Sequence, residues 1–378
     1  MPDPVVPVGR PLLPSADAII PYLRRLDVTR RYANRGELVQ LLEGRLSKLF
    51  APSAAMVSAA SGTAALAGAI LAVAGRAAPD RPLCLCPAYT FTATALAAEQ
   101  CGYQVHFTDI NKDTWAVEPA ALARHPALDR AGIVLVTAPY GRRFSQAAWQ
   151  SFHEQSRVPV VIDAAACVEA LADGSDDLIG PIPIVLSLHA TKAFAVGEGG
   201  AVVCADPAVT RATAAALNFG FSGVRETSGP GLNGKMSEYH AAVGLAELDG
   251  WTAKRRALRR VADRYRQAAS ATGVRLYAAP DLSACYVLFE AATESQSQAA
   301  RAALHRAGID HRRWYGVGLH REPHFQANPR DALPTVEAVA PRLIGLPVAP
   351  DLDDTVIARI VSVLAEFCDR GAKPGGQP

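Results

Sequence analysis

The chain carries almost no net charge: 38 Lys and Arg against 36 Asp and Glu leave +2 over 378 residues. Without a global field of either sign, attraction to nucleic acid or to an anionic membrane is not expected. A long uninterrupted apolar run is missing too. The most membrane-like stretch, Ala54 to Ala74, is broken by Ser58, Ser61, Gly62, Thr63 and Gly68. A span needs roughly twenty mostly apolar residues, so the stretch reads as a buried helix instead. The opening MPDPVVPVGRPLLP lacks a basic start followed by an apolar core, so no secretory signal is expected and the compartment implied is the cytoplasm. No internal repeat is visible, and the one low-complexity segment is the final GAKPGGQP (371–378), which reads as a flexible tail.

Seven cysteines is an odd number, which suits a reducing compartment. Cys84, Cys86, Cys101, Cys167, Cys204 and Cys285 mostly sit in apolar stretches, where a thiol packs as a small hydrophobe. Cys84 and Cys86 lie two apart with no Cys or His pair nearby at zinc-like spacing, so no metal site is expected.

What is present is size and order. A chain of 378 residues, half of them apolar, fits one large domain and a smaller one. We place the large domain at 1–250, with an N-terminal arm over 1–45, and the small one at 251–370. From about Pro52 to Asp206, short β-rich runs (PLCLCP, YQVHFTDI, GIVLVTAP, VPVVIDAA, IPIVLSL, GGAVVCAD) alternate with Ala-rich helical stretches such as TALAAEQ. That alternation predicts an α/β fold with a mainly parallel sheet covered by helices. Ser237 to about Ala271 has helical spacing and no proline, and predicts a long helix, broken near Gly250 if anywhere. Its KRRALRR run, Lys254 to Arg260, spreads five charges over a broad arc and reads as a solvated helix face rather than a nucleic-acid patch. Beyond it, ACYVLFEA, SQSQAARAALHRAG and IDHRRWYG read as strand, helix and strand of an α+β C-terminal domain.

Sheets of this kind bind ligands beyond the carboxyl ends of their strands. Asp163 follows VPVVI, and Ser187, His189 and Lys192 follow IPIVL. The run before Asp163 is too apolar for a surface strand, and a buried carboxylate needs a cationic partner. An arginine or the protonated ring nitrogen of a cofactor would serve. Lys192, flanked by His189, Thr191 and AFAV, is placed for Schiff-base chemistry, which needs a positioned and partly desolvated amine. The Gly197-Glu198-Gly199-Gly200 turn then lets the backbone pass closely. Ser61-Gly62-Thr63 leads into an apolar helix; such a start is either an ordinary N-cap or a phosphate site.

Ten ordered pieces give the chain a resemblance to the sugar aminotransferases of the DegT/DnrJ/EryC1/StrS family, within the fold type I group of pyridoxal-phosphate (PLP) enzymes. They are YANRG (32–36), SGTAAL (61–66), PAYTFTATA (87–95), TDI (108–110), VIDAAA (161–166), SLHATK (187–192), GEGG (197–200), NFG (218–220), GLNGKMSEYHAAVGLAEL (231–248) and IGLPVAPDL (344–352). The resemblance implies that Lys192 forms the Schiff base with pyridoxal 5'-phosphate and shuttles the proton, and that Asp163 holds the ring nitrogen. It implies that Phe91 packs on the ring face, and that Ser61, Gly62, Thr63 and Ser187 bind or support the phosphate. The asparagine matching Asn233 reaches the neighbouring subunit's phosphate, so a homodimer with shared sites is implied. Arg312, Arg313, Tyr315 and His320 match a stretch near the active site; of these Arg313, Tyr315 and His320, together with His189, are the candidate substrate residues.

Two departures stand out. Where the family usually has His or Gln near the ring oxygen, this chain has Ala166, and a hydrogen bond is either absent or supplied from elsewhere. Where it often has Asn-Gly-Pro, this chain has Asn34-Arg35-Gly36-Glu37. The reaction implied is a transamination in amino-sugar biosynthesis. An amino acid, L-glutamate by resemblance, converts the cofactor to pyridoxamine 5'-phosphate, which then aminates a nucleotide-linked keto-deoxy sugar or a cyclitol ketone. Dehydratases of the family carry His in place of the lysine, which Lys192 argues against. Decarboxylase or aldol chemistry on the same Lys and Asp pair, and a noncatalytic regulator of the same fold, are the rival readings.

Overall fold

The computed structural model describes residues 6–174 and 176–367; the tail (371–378) lies outside them. The large sheet has seven strands, β1 (Ala55–Ala59), β2 (Leu83–Pro87), β3 (Gln104–Thr108), β4 (Ala131–Thr137), β5 (Val160–Asp163), β6 (Ile184–Ser187) and β7 (Gly200–Cys204), in the order β1-β7-β6-β5-β4-β2-β3. Strands β3, β2, β4, β5 and β6 run parallel, while β7 pairs antiparallel with both β6 and β1. Runs such as LCLCP and VVID are buried at every position, as expected of strands covered on both faces.

Helices α1 (Ala16–Thr29), α2 (Glu37–Phe50), α3 (Gly62–Val73), α4 (Thr92–Gln100), α5 (Pro119–Leu122), α6 (Gln146–Ser156), α7 (Val168–Ala172) and α8 (Pro207–Ala216) accompany that sheet. Helix α9 (Glu238–Thr272) leads to a second, antiparallel sheet of β8 (Leu276–Tyr277), β9 (Leu288–Glu290) and β10 (Leu343–Gly345), ordered β10-β9-β8, with α10 (Glu294–Arg306), α11 (Pro334–Val339) and α12 (Asp354–Ala365). Val261 and Tyr265 of α9 pack with Phe289, Ile344, Ile360 and Leu364 into a core separate from that of the large sheet. Among the described residues, no helix is long and apolar enough to cross a membrane.

Three elements differ from the sequence-based expectation. Residues 54–74 are strand β1, a turn and helix α3, because Ser61 leaves helical backbone (φ −158°) and caps the helix behind it. A buried strand and a buried helix share apolar composition, so periodicity does not separate them. IDHRRWYG is not a strand: Ile309 bridges Val6 of the N-terminal arm and Arg312 bridges Gly345, two single contacts to different partners. Helix α9 runs unbroken through Gly250. The roughly 1 kcal/mol that glycine costs a helix interior is outweighed by buried Trp251, Leu258, Val261 and Tyr265. Its basic run is also less free than expected. Lys254 pairs with buried Glu247, while Arg255 and Arg259 pair with Asp173.

Two polar staples tie together segments distant in sequence. Asp331 joins His106 of β3 (2.9 Å) and His125 (3.1 Å), pinning the segment after Phe325 to the sheet edge. Their ligand atoms lie close enough for a metal ion, but His125 Nδ1 accepts the Ala127 amide at 3.1 Å. With that lone pair used, Nε2 carries the proton and donates to Asp331, the wrong polarity for a metal ligand. The second staple is Glu238 at the start of α9. Its buried carboxylate accepts from Leu38 (2.7 Å) and Val39 (3.4 Å), amides in the first turn of α2, while its own amide donates to the Tyr32 carbonyl. A Cβ at Gly36 would stand 2.9 Å from Glu238 Cδ, so only glycine lets the two approach. Glu238→Ala would strand two buried amides and is expected to destabilise the protein by about 2 kcal/mol, read as a lowered urea midpoint at unchanged slope.

Candidate active site

The carboxyl edge of the large sheet collects the polar residues. Ser61 follows β1, Tyr89 to Phe91 follow β2, Tyr140 follows β4, Asp163 ends β5 and Ser187 ends β6. Asp163 is buried; its Oδ2 accepts from Thr94 Oγ1 at 2.6 Å and its Oδ1 from the Ala165 amide at 3.2 Å. Thr94 bonds in turn to Thr90 (2.7 Å), which accepts from Thr137 (2.8 Å), so a chain of hydroxyls supports the carboxylate. Among the described residues no arginine pairs with Asp163. Burial pushes its carboxyl above the ordinary carboxylate range, against the Thr94 hydrogen bond and the nearby Lys192 charge.

Lys192 sits on the loop between β6 and β7. That loop is shaped by backbone bonds from Leu188 to Gly199, Ala190 to Gly197 and Lys192 to His189. Nζ donates to Tyr286 Oη at 2.8 Å. His189 is engaged within the loop: Nδ1 bonds Thr191 Oγ1 at 2.9 Å, and Nε2 lies 3.7 Å from Glu198. Ser61 Oγ caps the Ala64 amide at 3.1 Å, so the N-cap reading holds. A helix start still leaves its first N–H groups without intrahelical acceptors, and here those belong to Gly62 and Thr63. A Cβ at Gly62 would meet Ser187 Cβ at 3.2 Å, and one at Gly200 would lie 2.4 Å from the Ser61 carbonyl. Two glycines therefore keep open a cradle bounded by Ser61, Gly62, Thr63 and Ser187. Phe91, N-cap of α4, leaves its ring 56% exposed.

Of the C-terminal candidates, only Tyr315 joins this group. Its ring stacks on Tyr140 (4.6 Å) and its hydroxyl accepts the Tyr140 amide at 3.3 Å. His320 is buried 3.6 Å from Glu337, and burial lowers its pKa. Arg313 lies near Arg301 of α10, and Arg312 stacks on Trp314. Asn233 lies on an exposed loop, bridged to Asn218, with its Oδ1 accepting from Lys235 at 2.8 Å. Ala166 is buried and shares a cavity wall with Glu169 and Ser283.

Sequence reasoning missed Thr94, Tyr140 and Tyr286. Thr94 lies inside the quoted PAYTFTATA and could have been singled out as a hydroxyl one helical turn beyond Thr90. Tyr286 was read as strand, but β9 begins two residues later, at Leu288.

The residues present fit pyridoxal 5'-phosphate. There is an amine on a long flexible side chain, a buried carboxylate that no arginine among the described residues pairs with, a glycine-kept cradle at a helix start, and an exposed aromatic residue just after β2. Such a site at the carboxyl edge of a mainly parallel sheet defines an α/β enzyme of the PLP-dependent aminotransferase type. The chain belongs to the DegT/DnrJ/EryC1/StrS aminotransferase family, whose sequence profile matches residues 15–365. It is 30% identical to the Mycobacterium tuberculosis protein Rv3402c over 97% of this chain and 91% of that one. It is 28% identical to the dTDP-3-amino-3,4,6-trideoxy-alpha-D-glucose transaminase of Streptomyces venezuelae, over 75% and 76% of the two chains. Among solved structures, DesI in the presence of its TDP-sugar product matches with a TM-score of 0.84 at 28% identity, covering 98% of this chain and 94% of that one.

A raised carboxyl pKa in the fold means that ionising Asp163 costs the folded state stability as pH rises through that pKa, and that the cost vanishes on acidification below the ordinary value. Cofactor-free Asp163→Asn should therefore melt no lower than the parent at neutral pH, and any advantage should disappear toward about pH 4. Its Tm gain on adding pyridoxal 5'-phosphate should be smaller than the parent's. A scan of Tm against pH, with and without cofactor, checks both.

Proposed function

We propose that the chain transfers the amino group of L-glutamate to a nucleotide-linked keto-deoxy sugar, using a cofactor held by Lys192, Asp163, Phe91 and the cradle of Ser61, Gly62, Thr63 and Ser187. The observation that carries the reading is the convergence of Lys192 and a buried Asp163, which no arginine among the described residues pairs with, at one sheet edge. Pyridoxal 5'-phosphate, when bound, supplies an electrophilic carbonyl and a ring that draws electrons from the substrate. Asp163 would keep a ring nitrogen protonated, a role that suits a carboxylate whose partner must be a removable cation. The amides of Gly62 and Thr63 would hold the phosphate at the N-terminus of α3. Lys192 Nζ would anchor the cofactor and then, released, act as the general base that takes and returns the proton at the substrate's Cα. His189, Arg313, Tyr315 and His320 are weighed as substrate residues; by its position beside Tyr140 and Tyr286, Tyr315 is the one we assign to the wall of the site.

The relatives support the choice of acceptor. The Streptomyces venezuelae transaminase is named for a dTDP amino sugar, and DesI was seen with a TDP-sugar product. The six described cysteines are free and mostly buried, which suits work in the cytoplasm.

We also infer a homodimer with shared sites. Tyr32 and Tyr239 stack on each other at 5.9 Å yet remain exposed, as do Phe219 and Phe91, a set of aromatics that a partner subunit would cover. Asn233 stands on the same exposed loop as Phe219 and would complete the neighbour's cradle.

Two measurements test this reading. Protein mixed with pyridoxal 5'-phosphate should show a visible absorption band that L-glutamate alone bleaches and that Lys192→Ala lacks; a band indifferent to glutamate would point to another donor or to lyase chemistry. Co-expressed Lys192→Ala and Asn233→Ala chains should recover about a quarter of parental activity, because half the dimers are mixed and each has one intact site. No recovery would argue that each site is built from one chain.

A further inference from the structure

Among the described residues the Lys192 amine has one close polar partner, the Tyr286 hydroxyl at 2.8 Å, and that tyrosine is held from several sides. Its ring meets Tyr140 edge-on at 5.4 Å and Trp314 at 5.5 Å. Its amide donates to the Ser283 carbonyl at 3.0 Å, and the Ser283 amide donates to the Tyr140 carbonyl at 2.9 Å. The turn is fixed further by Glu169 of α7, whose Oε2 accepts from Ser283 Oγ at 2.7 Å and from the Ala284 amide at 2.8 Å. Glu169 is itself buried and stands six residues after Asp163. The stretch that begins at the carboxylate of the site thus also fastens the turn that holds the amine.

We propose that Tyr286 is the positioning residue for the reacting amine, its hydroxyl holding Lys192 Nζ at the sheet edge whenever that nitrogen is free of the cofactor, with Glu169 fixing the turn that carries it. The proposal rests on Lys192 being the reacting amine. A tyrosine hydroxyl can do this in both charge states, accepting from an ammonium and donating to a neutral amine. Burial keeps the Tyr286 phenol protonated, so it does not become a competing anion beside the lysine. Lys192 is also within electrostatic reach of Asp163 and Cys167 from the β5 side, and of Cys285 and Tyr315 from the C-terminal side. Of these only Asp163 is a carboxylate. A bond donated by a charged amine is stronger than one between neutral groups, so loss of the hydroxyl disfavours the ammonium and frees the amine at lower pH.

The test is the pH dependence of trinitrobenzenesulfonate labelling in the full-length protein, read by mass spectrometry of the Lys192 peptide. Prior addition of pyridoxal 5'-phosphate and borohydride identifies the protected site. Tyr286→Phe should move the Lys192 labelling midpoint to lower pH and raise labelling at fixed neutral pH by roughly five-fold, while exposed Lys112 stays unchanged. An unmoved midpoint, or a rise shared by Lys112, overturns the proposal. Should Tyr286→Phe fail to fold, Ser283→Ala removes one of the two bonds to Glu169 and should give a smaller shift of the same sign; no shift there overturns it as well. Labelling reports on the amine alone. A chain inactive with glutamate can still show the shift, and a working transaminase can still lack it, so this proposal and the functional one fail separately.

Discussion

The rest of the site depends on a carboxylate buried without a fixed counter-charge. Asp163 ends a strand whose every residue is buried, where an ionised group is costly unless hydrogen bonds and a cation attend it. Thr94 and the Ala165 amide provide the first, and the charge of Lys192 is the cationic influence that reaches it. The protein gives up stability at this point and holds the position through the surrounding sheet. A buried carboxylate left under-compensated is a local cost in stability of the kind found where function rather than packing sets a residue. The supporting parts are arranged around that demand, from the chain of threonine hydroxyls behind the carboxylate to the lysine loop beside it.

Much of this was legible in the sequence because it depends on strand ends. A buried parallel strand announces itself as a continuous apolar run, and the polar residues that follow it mark the carboxyl edge; Asp163, Ser187 and Lys192 are each singled out that way. The cradle was legible as chemistry but ambiguous as function, since Ser61 does cap its helix and an N-cap and an anion site look alike in sequence. Residues 54–74 were misread because Val57 and Leu66 are equally apolar whether they lie on a strand or a helix. Only the pairing of β1 with β7, more than 140 positions along the chain, decides between them.

What stayed hidden depends on contacts distant in sequence. Nothing around Tyr286 distinguishes it from a strand tyrosine, and its partner Lys192 is 94 residues away. Glu169 sits on a five-residue helix with no motif of its own, yet it grips a turn 114 residues later. The Asp331 staple reaches back 225 positions to His106. Pairings of this kind come from the topology of the fold, and local pattern carries no trace of them. Ala166 belongs with them. Its small side chain is plain in the sequence, but the Glu169 and Ser283 contact next to it is visible only once the chain is folded.

Helix α9 has a mechanical consequence. Its first half packs into the core of the large sheet and its second half into the core of the small one, and at 1.5 Å per residue its 35 residues make a strut of about 50 Å. Two bodies that share a continuous girder cannot clap shut like jaws without bending it, and no proline interrupts α9 to serve as the elbow. Any change in how the small body sits on the large one must therefore bend or repack a strut whose buried residues, from Trp251 to Tyr265, reach into both cores.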